Sequence, residues 1–221
     1  MSISSCILCN YPNVQLFYED TSEHYASKYF QCRRCRLIFV LPKDRPSPKE
    51  EFERYETHEN DPKDEGYRNF LSQLSNPLSE LLEPQSKGLD FGSGPGPTLN
   101  IMFEEQGHQM NIYDPFYADH PEVFEETYDF ITATEVVEHL HEPGKEFQQL
   151  WSCLRPGGYL GIMTKRAKDD EAFFADWHYR LDETHVTFYT QQTFRWIANH
   201  WEASIIYTAD RVVIFQKEDT Q

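Results

Sequence analysis

The sequence predicts an α/β fold: a doubly wound sheet closed by a reversed strand, with a small cysteine-bearing module ahead of it. Three observations carry this expectation. The stretch Gly88-Leu-Asp-Phe-Gly-Ser-Gly-Pro-Gly96 is a short apolar strand signal that runs into glycines at every second position. Glycine tolerates the left-handed dihedrals of a sharp turn that brings bare backbone N–H groups to a ligand. Apolar runs at 88–91, 109–113, 128–134 and 159–164 alternate with helical patterns, as strands and crossovers do in a parallel sheet. Residues 203–208 and 211–216 alternate across the short Ala209-Asp210 connection, so they pair as an antiparallel hairpin that ends the sheet.

At 221 residues the chain accommodates one medium domain and a small appendage, enough to bury a core. The appendage is marked by Cys6-x-x-Cys9 and Cys32-x-x-Cys35, each on a tight turn, with an aromatic-rich spacer of 22 residues between them. Two such knuckles bring four thiolates into a tetrahedron. That geometry suits structural zinc, and the metal supplies folding energy to a segment too small for its own core. Rubredoxin-type iron and redox-active thiols are the other uses of the pattern. The fifth cysteine, Cys153, falls in a helical pattern and reads as a buried apolar thiol. Residues 1–45 therefore form a zinc-ribbon module.

Leu41-Pro-Lys-Asp-Arg-Pro-Ser-Pro48 reads as the linker out of that module. Ser47-Pro-Lys-Glu50 starts a helix, with proline at the first helical position and Glu50 available for a reciprocal cap. Asp61-Pro62 starts a second, in which Tyr67, Phe70, Leu71 and Leu74 share a face. Asn76-Pro77 interrupts it, and helical spacing resumes over 78–82. Residues 46–84 are thus linker and helices, and 85–221 the main domain. Helices are expected at 98–106, 144–154 and 190–200, the last with Thr190 as N-cap. Pro95 and Pro97 remove donors from the turn after the glycines, so the loop is not a phosphate cradle that uses every amide. Only thirteen residues separate Asp114 from Tyr128, which leaves a third strand short or absent.

The formal net charge is −17. Residues 1–48 hold six Lys or Arg against four Asp or Glu, so that segment stands at +2 and the remainder at −19. Such a surface repels nucleic-acid phosphates and lacks the basic footprint of non-specific binding, which disfavours RNA and DNA as substrates. No run of about 18 apolar residues is present, so no membrane span is expected. Met-Ser-Ile-Ser-Ser-Cys lacks the basic and apolar regions of a secretory leader. With paired cysteines spaced for metal, a reducing, cytoplasmic setting is the expectation. Oligomeric state is not legible.

The residues after the glycine loop add chemistry to the fold. The run at 109–113 ends at Asp114, twenty-four residues after Asp90, and a carboxylate there can take both hydroxyls of a ribose. The strand and turn Tyr128-Asp-Phe-Ile-Thr-Ala-Thr-Glu-Val-Val-Glu-His-Leu140 and then Leu154-Arg-Pro-Gly-Gly-Tyr-Leu-Gly-Ile-Met-Thr164 follow in order. With Asp-Phe-Gly-Ser-Gly-Pro-Gly, this succession resembles the class I S-adenosylmethionine (SAM) methyltransferases of the bacterial type 11, 12 and 23 kind, over roughly residues 66–216. The resemblance implies a Rossmann-like sheet with SAM held by Asp90, Gly92, Ser93, Gly94, Gly96, Asp114, Pro115, Thr134 and Glu135. Tyr67 would close over it from the preceding helix. SAM carries no phosphate, in keeping with the prolines of the loop.

Methyl transfer from a sulfonium is an in-line displacement, so the protein positions the acceptor and takes its proton. Positioning can supply about 7–11 kcal/mol and a general base about 10²–10⁴-fold. Residues 165–189 contain Phe173, Phe174, Trp177, His178, Tyr179, His185, Phe188 and Tyr189. This segment resembles the one that folds over the acceptor in a bacterial subgroup of methyltransferases. His185 and His178 are the candidate proton acceptors, His185 first because Asp182 and Thr184 can orient it; the alternative is that both are surface or packing residues. Glu135 is the third catalytic candidate, with Glu138 and His139 at helical offsets from it. Arg33, Arg34 and Arg36 either bind an anionic group of the acceptor or form a solubilising rim. The reading is a SAM-dependent methyltransferase acting on a small or medium metabolite, with oxygen, nitrogen or carbon as the acceptor atom left open. The alternatives are an RNA base methyltransferase that holds RNA on the ribbon, and a non-catalytic SAM-binding or zinc-dependent interaction protein.

Overall fold

The computed structural model describes residues 5–22, 27–57 and 60–219. Its elements run β1 (Val14–Glu19), β2 (Lys28–Cys32), β3 (Ile38–Val40), α1 (Pro48–Tyr55), α2 (Glu65–Ser79), β4 (Lys87–Phe91), α3 (Leu99–Glu104) and β5 (Gln109–Tyr113). Then follow β6 (Tyr128–Thr134), α4 (Pro143–Cys153), β7 (Leu154–Met163), α5 (Glu171–Asp176), β8 (Thr187–Phe188), α6 (Gln191–His200), β9 (Ala203–Thr208) and β10 (Val212–Lys217).

The main sheet has six strands in the order β5-β4-β6-β7-β10-β9. β5, β4, β6 and β7 are parallel, and β10 runs antiparallel to both its neighbours. This is the doubly wound sheet with a reversed strand. Strand β6 shows why a central parallel strand reads as a continuous apolar run: Phe130, Ile131, Thr132 and Ala133 are all fully buried because helices cover both faces. The chain leaves β4 in one direction to β5 and reaches β6 on its other side, so a crevice opens at the carboxyl ends of these strands. Beyond β5 no third strand is added: residues 115–127 contain one 3-10 turn (Pro121–Glu125) and a bridge from Asp114 to Ala118.

Three local expectations are corrected. Helix α2 runs through Pro77 without a break. Proline there forfeits one bond close to the helix end, and Leu71, Leu74 and Leu78 stay buried along one face. The same helix begins at Glu65, not at Asp61-Pro62, because Asp64 is the residue whose side chain caps the Tyr67 N–H at 2.7 Å. Strand β7 starts at Leu154, well before 159, by pairing with Tyr128 and then resuming at Phe130↔Tyr159 across an irregularity. The capping box at Ser47 and Glu50 forms as expected.

A second sheet, β1-β2-β3-β8, is antiparallel. Its fourth strand comes from the 165–189 segment, through Ile38↔Phe188 and Phe39↔Thr187. Tyr29, Ile38 and Val40 share an apolar cluster with Phe174, Trp177, Tyr179 and Phe188. A buried ion pair, Arg180 Nη1 to Asp20 Oδ2 at 2.5 Å, crosses the same junction. The cysteine turns also pack inward: Cys6, Leu8, Cys32 and Cys35 lie in one cluster with Phe147, Tyr189 and Trp201, and Gly144 N, at the start of α4, donates to Ile7 O at 3.3 Å. The N-terminal module is thereby fastened to the segment that flanks the crevice.

Candidate active site

The crevice is a cavity of about 870 Å³, within the range of small-molecule sites. The glycine loop forms one wall. Gly92 (φ +77°) and Gly94 (φ +67°) adopt the left-handed conformation, and a Cβ on Gly92 would lie 2.3 Å from a Val136 methyl. The amides of Gly92 and Ser93 turn back to Tyr113 O at 2.7 and 3.2 Å, which ties the loop to the end of β5. Gly94 N donates to Asp114 Oδ2 at 2.9 Å, and Asp114 Oδ1 accepts from Phe116 N (2.9 Å) and Tyr117 N (3.2 Å). Asp114 is therefore both a lining residue and the clamp that sets the loop against the next turn.

Asp90 and Gly96 do not line the cavity. Asp90 lies beneath the loop, where burial pushes its carboxyl up to about 6 although the Thr132 hydroxyl donates to it at 2.8 Å. Gly96 allows close approach instead: a Cβ there would meet Asn60 O at 2.1 Å. Ser93, Pro115, Thr134, Glu135 and Tyr67 all line the cavity. Burial raises the Tyr67 hydroxyl to about 12, with Asp90 and Glu135 adding to it. Helix α1 covers the opposite side with Tyr55, whose ring meets Phe116 at 5.6 Å and His139 at 5.4 Å.

The polar end sits past β6. Glu135 has φ +51°, uncommon for a residue with a side chain, and its amide donates to Met163 O at 2.7 Å. Strain of this kind gathers at functional sites. Burial, and then the neighbouring Glu138, push the Glu135 carboxyl up to about 7. Glu138 is fully buried and its carboxyl is likewise raised by burial. The Tyr179 hydroxyl donates to Glu138 Oε1 and lies 3.3 Å from Glu135 Oε2. His139 and His185 stand with ring centres 4.8 Å apart, and burial, then His139, hold the His185 imidazole below its ordinary value.

The structure thus brings His185 and Glu135 to the same end of the cavity. His178 is elsewhere: it is exposed, its Nε2 lies 2.8 Å from Lys165 Nζ, and it does not line the cavity. Tyr179 stands out in the sequence only as one aromatic residue of 165–189, and Tyr55, Asn60 and Arg211 carry no signal there. Arg211 Nη1 is 3.5 Å from Glu135 Oε1, yet it comes from the final hairpin, and no local pattern links those positions.

The residues fit SAM. The cavity wall carries buried oxygens with no hydrogen-bond partner among the described residues, Ser93 Oγ and Thr134 Oγ1, and such atoms demand a partner. The cysteine cluster fits a metal. The four thiol sulfurs lie within 4.8 Å of one another, with Cys6–Cys35 and Cys9–Cys32 each at 3.5 Å. A tetrahedron with sulfurs about 2.3 Å from zinc has edges of about 3.8 Å. Among the described residues no helix is long and apolar enough to cross a membrane.

A family model described as a methyltransferase domain matches residues 64–205. The ubiquinone biosynthesis O-methyltransferase of Vibrio cholerae serotype O1 is 28% identical over 91 residues, 41% of this chain and 37% of that protein. Its counterpart in a Shewanella species is 30% identical over 77 residues, 35% and 33% of the two chains. These matches span about a third of the relatives' length. Among solved structures, Burkholderia thailandensis 1,6-didemethyltoxoflavin-N1-methyltransferase, with its substrate and S-adenosylhomocysteine bound, aligns with a TM-score of 0.53 at 13% identity, over 86% of this chain and 99% of that one. A protein of Pyrococcus horikoshii aligns with a TM-score of 0.51 at 13% identity, over 75% and 99%. At these identities the structural matches speak to the fold, the Rossmann-like methyltransferase architecture.

Proposed function

The chain belongs to the methyltransferase-domain family, and from that premise we propose that it transfers a methyl group from SAM to a small or medium metabolite. One observation carries the reading: a single cavity runs from the glycine loop and Asp114 to the buried Glu138 and the half-buried Glu135, His139 and His185. SAM, when bound, supplies a sulfonium methyl for in-line displacement. Asp114 accepts from a ribose hydroxyl, the loop around Gly92, Ser93, Gly94 and Pro115 lies along the adenosine, and Tyr67, Thr134 and Glu135 face the other end. Asp90 and Gly96 shape the loop from behind. Phe116, Tyr117 and Tyr55 exclude water, and Glu135 and His185 are the groups placed to receive a proton from the acceptor. His178 is assigned no role.

A small-molecule acceptor agrees with the named activities of the ubiquinone and toxoflavin enzymes, and the relatives give the RNA reading no support. Cys6, Cys9, Cys32 and Cys35 hold one structural zinc in this reading. Incubating the protein with methyl-labelled SAM and a broad metabolite extract tests the proposal. Label appearing in a discrete small product supports it, and failure of the protein to bind either SAM or S-adenosylhomocysteine refutes it.

A further inference from the structure

A second cavity, of about 290 Å³, stands at the lower bound of the volumes that hold small molecules. The N-terminal module walls it with Ser27, Tyr29 and Val40, and the linker and α1 add Asp44, Arg45, Pro46 and Glu50. Its remaining wall is Arg180, Asp182, Glu183 and His185. Asp182 and His185 line the large cavity as well, so the two spaces adjoin across these side chains. The junction is held in place. His185 Nδ1 lies 2.6 Å from Tyr179 O, Asp182 Oδ2 accepts from Arg54 Nη2 at 2.7 Å, and Val40 N donates to Val186 O at 2.9 Å. The last bond sets β3 of the N-terminal module against the residue that follows His185.

The chemistry of this annex follows from where its charges are spent. The Arg180 side chain is only 7% exposed. Its Nη1 donates to Asp20, its Nε to Phe174 O at 3.0 Å and its Nη2 to Ala175 O at 2.6 Å. Arg45 gives Nε to Val40 O at 2.9 Å and Nη1 to His141 O at 2.7 Å. Its Nη2 is buried with no hydrogen-bond partner among the described residues, within reach of the charges of Glu142, Glu146 and Glu51. Neither guanidinium therefore presents a donor to the annex. Carboxylates do face it. Glu183 is exposed, and Glu50 engages Ser47 through Oε2 alone. Asp44 meets Lys43 at 3.3 Å, but that lysine is 69% exposed and does not line the space. A guest must bring the donors, and the uncompensated acids favour one that also brings positive charge. Val40 and Pro46 offer carbon to an alkyl stem.

We propose that this annex binds a protonated amine carried by the methyl acceptor, on a stem that passes His185 from the catalytic end of the large cavity. The proposal rests on the methyltransferase reading and narrows its substrate class to an elongated, amine-bearing metabolite. It gives the N-terminal module a task beyond support, because Ser27, Tyr29 and Val40 become part of the specificity site. Anchoring one end of the acceptor also limits where the other end can stand, which is the positioning that an in-line displacement needs. Asp44 and Glu183 do not line the cavity assigned to SAM. Their replacement therefore acts on capture of the acceptor and leaves the cofactor untouched.

The test uses the full chain and the triamine spermidine as probe, titrated at physiological ionic strength with and without S-adenosylhomocysteine and followed by amide chemical shifts of the isotope-labelled protein. Saturable shifts centred on residues 27–29, 44–50 and 180–185 are expected. The double variant Asp44→Lys/Glu183→Lys, in which two attractions become repulsions, should weaken the probe by about tenfold. Both positions reach solvent, so folding does not limit the variant. Shifts scattered over the acidic surface without saturation, or equal affinity in the variant, overturn the proposal. In turnover with methyl-labelled SAM, the acceptor in a metabolite extract should be retained by a cation-exchange resin at neutral pH. The variant should label a dilute eluate about tenfold more slowly than the wild type and recover as the eluate is concentrated; a labelled acceptor that passes the resin overturns the proposal. S-adenosylhomocysteine affinity is measured on the same samples. Nucleoside binding without an amine site refutes the annex and leaves the methyltransferase reading intact; an amine site without nucleoside binding does the reverse.

Discussion

Replacing Asp114 by alanine removes both its clamp on the loop amides and the ribose contact proposed for it. Its two oxygens offer about four acceptor positions, and three are taken by the amides of Gly94, Phe116 and Tyr117. One position remains for a ribose hydroxyl. A hydrogen bond to a charged group contributes about 1.5–3 kcal/mol, so Asp114→Ala should weaken S-adenosylhomocysteine about 10- to 150-fold. The variant also releases the three amides, which loosens the loop and adds to the loss. Asp114→Asn distinguishes the contributions. Its single carbonyl oxygen can serve either Gly94 or the Phe116 and Tyr117 pair, and its amide then confronts a donor on the other side. Calorimetric titration should therefore rank wild type above asparagine above alanine, with thermal denaturation of the free proteins following the same order. Affinity unchanged within twofold in the alanine variant would remove Asp114 from the site and refute this reasoning.

Arg180→Met leaves Asp20 buried without its partner, since both side chains are only 7% exposed; a loss of about 3–5 kcal/mol is expected in urea unfolding. Asp90 is neutral more readily in the folded protein than in the unfolded chain, its carboxyl standing at about 6 against 3.8. That contribution is present below about pH 4 and is lost as the pH rises through 6, so Asp90→Asn should stabilise the ligand-free protein by about 3 kcal/mol at pH 8 and by almost nothing near pH 4; a pH-independent difference would contradict it. Cys35→Ser, or prolonged chelation, should release zinc detectable by elemental analysis. Because β8 pairs with β3, the amides of 165–189 should then exchange faster along with those of the ribbon, and exchange confined to residues 5–45 would show that the two are not coupled.

Much of the sheet is legible in the chain because its signals are local. The glycines after Phe91, the carboxylate that ends the next apolar run, and the short Ala209-Asp210 connection each constrain a few neighbouring residues. The thirteen residues between Asp114 and Tyr128 leave no length for another strand and crossover. The two Cys-x-x-Cys pairs announce their own convergence, since each is a turn and a tetrahedral ion needs both. Helix α2 marks a limit of local reading: Asn76-Pro77 reads as a break, yet the burial of Leu74 and Leu78 on either side carries the helix through.

Tertiary structure alone decided which polar groups meet. Tyr179 reaches both Glu135 and Glu138, and His185 comes beside His139, only because residues 165–189 fold back over the end of β6. That path is set by β8 joining the ribbon's sheet and by Arg180 meeting Asp20 across the molecule. These contacts join residues dozens to more than a hundred positions apart, and no spacing rule ties them together. The sequence by itself determined the sheet, the glycine loop, the acid that ends β5 and the four thiols. Packing selected His185 over His178 for the cavity, because one ring is enclosed by Tyr179 and His139 while the other is left at the surface beside Lys165.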